Sequence, residues 1–172
     1  MKTTKITFKE FSREYAEEYY YVLLNQKKLI KHPESKIKFA TKSFVGYVIY
    51  SSFFVALGLF LTAYMGQLWP LLFIPVLTAV ATIHTYFRIN SNVTKLQHAE
   101  ASAFILTLSD DHIIYGQGKD NGVIMLWQEI KKIIFTDNSI IFLPNAADIF
   151  PIVVPIAAQK EIKSILKKKH IE

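Results

Sequence analysis

Three regimes of hydrophobic and polar positions follow one another along the chain. In the first, Phe11, Tyr15, Tyr19, Val22 or Leu23, and Leu29 or Ile30 recur at helical spacing, while Arg13, Glu14, Glu17, Glu18, Asn25 and Lys28 fall mainly on the other side. The spacing predicts an amphipathic helix that ends near Lys31, because His32-Pro33 disfavours its continuation. Thr7-Phe8-Lys9-Glu10 has capping-box spacing ahead of that helix, and alternation over residues 4–8 predicts a short strand. The second regime lies between Lys42 and Arg88 and holds no Asp, Glu, Lys or Arg. The third begins near Ala101 and consists of short β-rich runs separated by turn residues.

A spanning helix needs roughly 20 apolar residues, so the uncharged block has room for two passes and a tight turn. The expected spans are residues 43–65 and 68–87, joined at Gly66-Gln67, as a transmembrane hairpin over 43–87. Pro70 fits the first turn of the second helix, and Pro75 should bend it. Lys27, Lys28, Lys31, Lys36, Lys38 and Lys42 precede the hairpin, Arg88 and Lys95 follow it, and its turn carries no charge. Positive-inside bias then puts both termini in the cytoplasm of a multi-pass inner-membrane protein.

In the third regime the predicted strands are 104–108, 112–116, 123–127, 130–135, 139–143 and 150–155, with turns at Ser109-Asp110-Asp111, Lys119-Asp120-Asn121-Gly122 and Thr136-Asp137-Asn138. Residues 157–168 place Ile162, Ile165 and Leu166 on one face and predict a closing amphipathic helix. The expected fold class is therefore α+β: a transmembrane hairpin, an N-terminal amphipathic helix, and a small cytoplasmic β-roll or barrel capped by a C-terminal helix. The domain boundaries are 1–42, 43–87 and 88–172.

Composition and charge narrow the function classes. The net charge is +6, but residues 1–42 carry ten Lys/Arg against five acids and residues 88–172 ten against nine. The basic character thus belongs to the N-terminal segment, and the nearly neutral C-terminal domain argues against nucleic acid as a partner. The absence of cysteine excludes disulfides and thiolate metal sites.

The layout resembles the bacterial YcxB-like family, which joins two membrane spans to a C-terminal domain resembling pleckstrin-homology-like modules. The segments that carry the resemblance are 106–116 (LTLSDDHIIYG), 127–133 (WQEIKKI), 139–143 (SIIFL) and 152–155 (IVVP). Family members often carry a basic residue just after the proline, whereas this chain reads Pro155-Ile156-Ala157. The resemblance implies a pleckstrin-like roll and no defined activity.

No reactive constellation stands out. His32, His84, His98, His112 and His170 are scattered and lack metal-ligand spacing to one another. Gly116-Gln117-Gly118 falls in a hairpin turn without the strand-loop-helix setting of a phosphate loop, and no GxSxG elbow exists. Neither catalytic residues, metal ligands nor a cofactor are expected. Trp127, Ile130 and Ile133 read as domain core. Small residues Ser51, Ser52, Ala56, Gly58 and Thr62 on the first hairpin helix, and Thr78, Ala79 and Thr82 on the second, let helices approach closely. The simpler reading is that they pack the hairpin on itself, with an oligomer or partner interface as the alternative. Lys27, Lys28, Lys31, Lys36, Lys38 and Lys42 are candidate contacts to lipid headgroups, although orientation alone would select the same lysines.

The functional expectation is a non-enzymatic, membrane-tethered binding or regulatory module at the inner leaflet. Its rivals are an accessory subunit of a larger membrane transporter or enzyme complex, and an anionic-lipid-binding module. The expected partners are the lipid bilayer and either another membrane protein or a second copy of the chain.

Overall fold

The computed structural model describes residues 3–65, 69–117 and 121–169, without the side chains at 40–45, 47, 50, 61, 62, 65, 69–75 and 121. Seven strands form two antiparallel sheets. β1 (Thr4–Thr7), β2 (Phe104–Leu108), β3 (His112–Gln117) and β4 (Asn121–Leu126) make one, in that spatial order. β5 (Ile130–Phe135), β6 (Ser139–Pro144) and β7 (Ile152–Pro155) make the other. On the first sheet the apolar strands alternate, with Leu106, Leu108, Ile113 and Met125 turned inward, whereas β6 and β7 are buried throughout.

Five helices are inserted into or follow this meander: α1 (Arg13–Leu24), α2 (Gln26–Lys31), α3 (Ala40–Met65), α4 (Trp69–Gln97) and α5 (Gln159–Lys169). All but α5 lie between β1 and β2, so one sheet is closed by strands from both sides of the hairpin. Ile162 and Leu166 seat α5 on the core.

Several expectations change at the N-terminus. The helix cap is Ser12, whose Oγ accepts from the Tyr15 amide at 3.0 Å. Thr7 instead ends β1, so the capping box at Thr7–Glu10 does not form. The single helix is broken at Asn25, whose side chain and backbone N–H both donate to the Tyr21 carbonyl. Glu17 and Glu18, expected on the solvent side, are buried.

The hairpin requires the larger correction. α3 and α4 do pack together, with the Ser51 and Thr82 hydroxyls 3.3 Å apart. Among the described residues, however, no helix is long and apolar enough to cross a membrane. A span requires roughly 20 apolar residues. The expectation of two spans over 43–65 and 68–87, and with it the multi-pass inner-membrane location with cytoplasmic termini, is therefore corrected. The turn at Gly66-Gln67 lies outside the described residues. Large apolar groups do face outward, with Phe53, Phe60, Leu77 and Phe87 each more than half exposed.

α4 also runs ten residues past Phe87, where the second span was expected to end. Ile89 and Val93 there are buried, and Leu96 packs against the core. This stretch is polar on one side and apolar on the other, which is how it joins the hairpin to the β-roll.

Candidate functional site

A tyrosine-lined cleft occupies the joint between α1, the end of α4 and the two sheets. α1 brings Tyr15, Tyr19 and Tyr20, β2 brings Phe104, β3 brings Tyr115 and Gln117, and α4 brings Leu96. Val123 of β4 and residues 151–153 beside and within β7 complete the lining of a cavity of about 290 Å³. This is near the lower end of the range for small-molecule sites.

Helical spacing puts Tyr15 and Tyr19 one turn apart on α1, and Ser12 fixes where that helix starts. α1 lies along the otherwise free edge of β7: the Tyr15 hydroxyl donates to the Val153 carbonyl at 2.9 Å. That commits its only proton, so the Tyr115 hydroxyl, 3.0 Å away, is the donor in their contact. A directed chain results, from Tyr115 to Tyr15 to Val153, which leaves lone pairs on the Tyr115 oxygen. The hydroxyls of Tyr19 and Tyr20 have no hydrogen-bond partner among the described residues.

The rings contact one another closely. Tyr19 and Tyr20 meet edge to face with centroids 5.4 Å apart, while Phe104 and Tyr115 are tilted at 6.0 Å. Burial pushes the hydroxyl pKa values of Tyr15, Tyr19, Tyr20 and Tyr115 upward, with the neighbouring tyrosine adding to the rise at Tyr15 and Tyr19. All four are neutral hydrogen-bonding groups at physiological pH.

One turn along α1 from Tyr15, the Glu18 carboxylate is inserted into the β5–β6 turn. It accepts from Thr136 Oγ1 at 2.5 Å, Ser139 Oγ at 2.5 Å and Asn138 Nδ2 at 3.0 Å. Farther along, Gln26 Nε2 donates to the Ile149 carbonyl at 2.6 Å. Glu18 thus holds α1 against the β5–β6 turn and Gln26 ties the start of α2 to the segment before β7, while the Arg13 guanidinium bonds Asn90 Oδ1 on α4 at 2.9 Å.

No family model, curated protein or solved structure matches the chain. The YcxB-like resemblance rests on the segments quoted for it, and the site's chemistry must be read from its own residues.

The sequence-predicted residues fall elsewhere. Lys27, Lys28, Lys31, Lys36 and Lys38 are exposed on α2 and the segment after it, and the Lys42 side chain lies outside the described residues. Lys131 Nζ bonds the Ile30 carbonyl at 2.5 Å, which sets the β5 lysines Lys131 and Lys132 beside α2. A broad, open cavity of about 670 Å³ there is lined by Lys36 and Lys132 but also by Glu34 and Asp137. Ser51 and Thr82 meet inside the hairpin; Ala79 and Gly58 are half-buried, Ser52, Ala56 and Thr78 are exposed, and the Thr62 side chain is not described. Trp127, Ile130 and Ile133 are half-buried at the margin of the core. The Trp127 indole N–H donates to the Ser109 carbonyl at 3.0 Å, and Lys169 lies over its ring. Among the described residues no group of His, Asp and Glu could hold a metal ion.

Sequence reasoning missed the cleft. Its available trace was the run Tyr19-Tyr20-Tyr21 following Tyr15, a richer supply of phenols than an amphipathic helix needs to bury.

Proposed function

We propose that the protein is a non-enzymatic binding module whose ligand occupies the tyrosine-lined cleft, and whose hairpin responds to occupancy. One observation carries this reading: the same two helices that wall the cleft also hold the hairpin. α1 supplies three tyrosines and packs on both α3 and α4, and α4 reaches from the hairpin into the cleft at Leu96. Among the described residues of the cleft none is a nucleophile with an adjacent base, and the four phenols are too weakly acidic to exchange protons at neutral pH.

The test is a Tyr20→Trp reporter in a Trp69→Phe, Trp127→Phe background, titrated with neutral, anionic and cationic small molecules. At least one should give a saturable fluorescence change that raises the melting temperature. Filling the cleft with Val123→Trp should abolish that response. A reporter silent to every class argues against a ligand site.

The basic surface favours a second reading, an anion-binding face built from Lys27, Lys28, Lys31, Lys36 and Lys38 with Lys131 and Lys132 beside them. Each cation close to an anionic lipid surface contributes about 1 kcal/mol. Salt-sensitive binding to anionic but not neutral vesicles supports it; equal binding to both counts against it.

A further inference from the structure

The chemistry of the cleft lining narrows what it accepts. We propose that it takes an uncharged, flat aromatic molecule bearing one hydroxyl or ring N–H, an inference that rests on the binding reading above. Among the described residues no Asp, Glu, Lys, Arg or His lines the cavity. An ionised ligand would surrender its hydration with no counter-charge to replace it, which is costly in an apolar setting. The walls are instead aromatic on two sides: Tyr19 and Tyr20 on α1, Phe104 and Tyr115 on the sheet. Ring edges and faces presented from two elements suit offset or edge-to-face packing of a flat guest.

Size agrees with a ring system of one or two cycles. An apolar cavity of about 150 Å³ is enough to hold benzene, and this one has about 290 Å³. The polar complement is small and defined. Tyr115 spends its proton on Tyr15 and so offers lone pairs that accept from a guest hydroxyl or N–H. The hydroxyls of Tyr19 and Tyr20 have no partner to give up among the described residues. A single polar group on the guest is therefore satisfied, whereas the charge of a carboxylate or ammonium meets no counter-charge among the described lining residues.

A cationic guest is the competing idea, because aromatic faces attract cations. The absence of any carboxylate among the described lining residues weighs against it.

Three probes of similar size separate the cases, measured by calorimetry on the full chain: 4-methylphenol, benzoate and benzylammonium. The expected result is one saturable site for 4-methylphenol, with at least tenfold weaker binding of both ions. Val123→Trp should weaken 4-methylphenol at least tenfold, and Tyr115→Phe several-fold, with the fold of each variant verified by its unfolding transition. Tighter binding of either ion, lost in Val123→Trp, overturns the assigned ligand class while leaving the cleft as a site. Failure of all three probes, or 4-methylphenol binding indifferent to Val123→Trp, overturns both.

Discussion

Replacing Glu18 with alanine perturbs a buried carboxylate that ties α1 to the second sheet. It accepts three hydrogen bonds, from Thr136, Asn138 and Ser139, and Ser139 is fully buried. Hydrogen bonds to a charged acceptor contribute about 1.5–3 kcal/mol each. The full sum is not lost, for two reasons. The Thr136 and Ser139 hydroxyls lie 3.0 Å apart and pair with each other, and half-buried Asn138 reaches water. Removing the carboxylate also recovers its desolvation. The net cost is then that of one or two such bonds, about 3 kcal/mol. At roughly 2–4 °C per kcal/mol for a chain of this size, the melting temperature falls by about 6–12 °C. Urea unfolding followed by Trp127 fluorescence in a Trp69→Phe background measures it, with Glu18→Gln expected to lose about half as much. A loss below about 1 kcal/mol, or no coupling between Glu18→Ala and Ser139→Ala in a double-mutant cycle, refutes the assigned role.

Other expectations follow from the same contacts. Tyr15→Phe strips Val153 of its donor and Tyr115 of its acceptor, and should cost about 1–3 kcal/mol in urea unfolding; an unchanged midpoint would place no weight on the hydroxyl chain. The buried tyrosines also set an alkaline limit. Their folded pKa values lie above the unfolded value of about 10, so the unfolded chain loses these protons first. Stability is thus fully present below pH about 10 and falls as pH rises beyond it, with a shallower fall in Tyr15→Phe; a pH-independent midpoint between 9 and 11 would contradict this. On the hairpin, Phe53→Gln, Leu57→Gln and Phe60→Gln together remove exposed apolar surface, and should lower self-association in aqueous buffer without shifting the unfolding transition of the β-roll. Sedimentation velocity reads the first effect, and unaltered association would show that these side chains do not drive it.

What was legible in the sequence depended on whether a local period carried the information. Alternation and turn residues placed the strands well: β2 and β5 have the expected bounds, and β1 stops at Thr7 because Phe8 turns into the core. The amphipathic face of α5 was equally plain, as Ile162 and Leu166 are spaced one turn apart. Pairing across the hairpin was not legible, since nothing local says that β1 joins β2 across almost a hundred residues. Glu18 was misplaced because periodicity scores a carboxylate as solvent-facing, whereas its three donors come from a turn about 120 residues away. The uncharged block between Lys42 and Arg88 predicted two helices, and these form, but among the described residues neither is long and apolar enough to cross a membrane. The cleft was invisible for a similar reason. Tyr15 and Tyr115 each read as ordinary buried aromatics, and only folding sets their hydroxyls 3.0 Å apart.

The most direct test of the central claim, that one joint serves both the cleft and the hairpin, is residue-resolved hydrogen exchange on the full chain with and without saturating 4-methylphenol. Slower exchange is predicted in α1 and in residues 89–97 of α4, with α5 unchanged. Saturable binding that leaves α1 and α4 as they were, or that protects only α5, would contradict it.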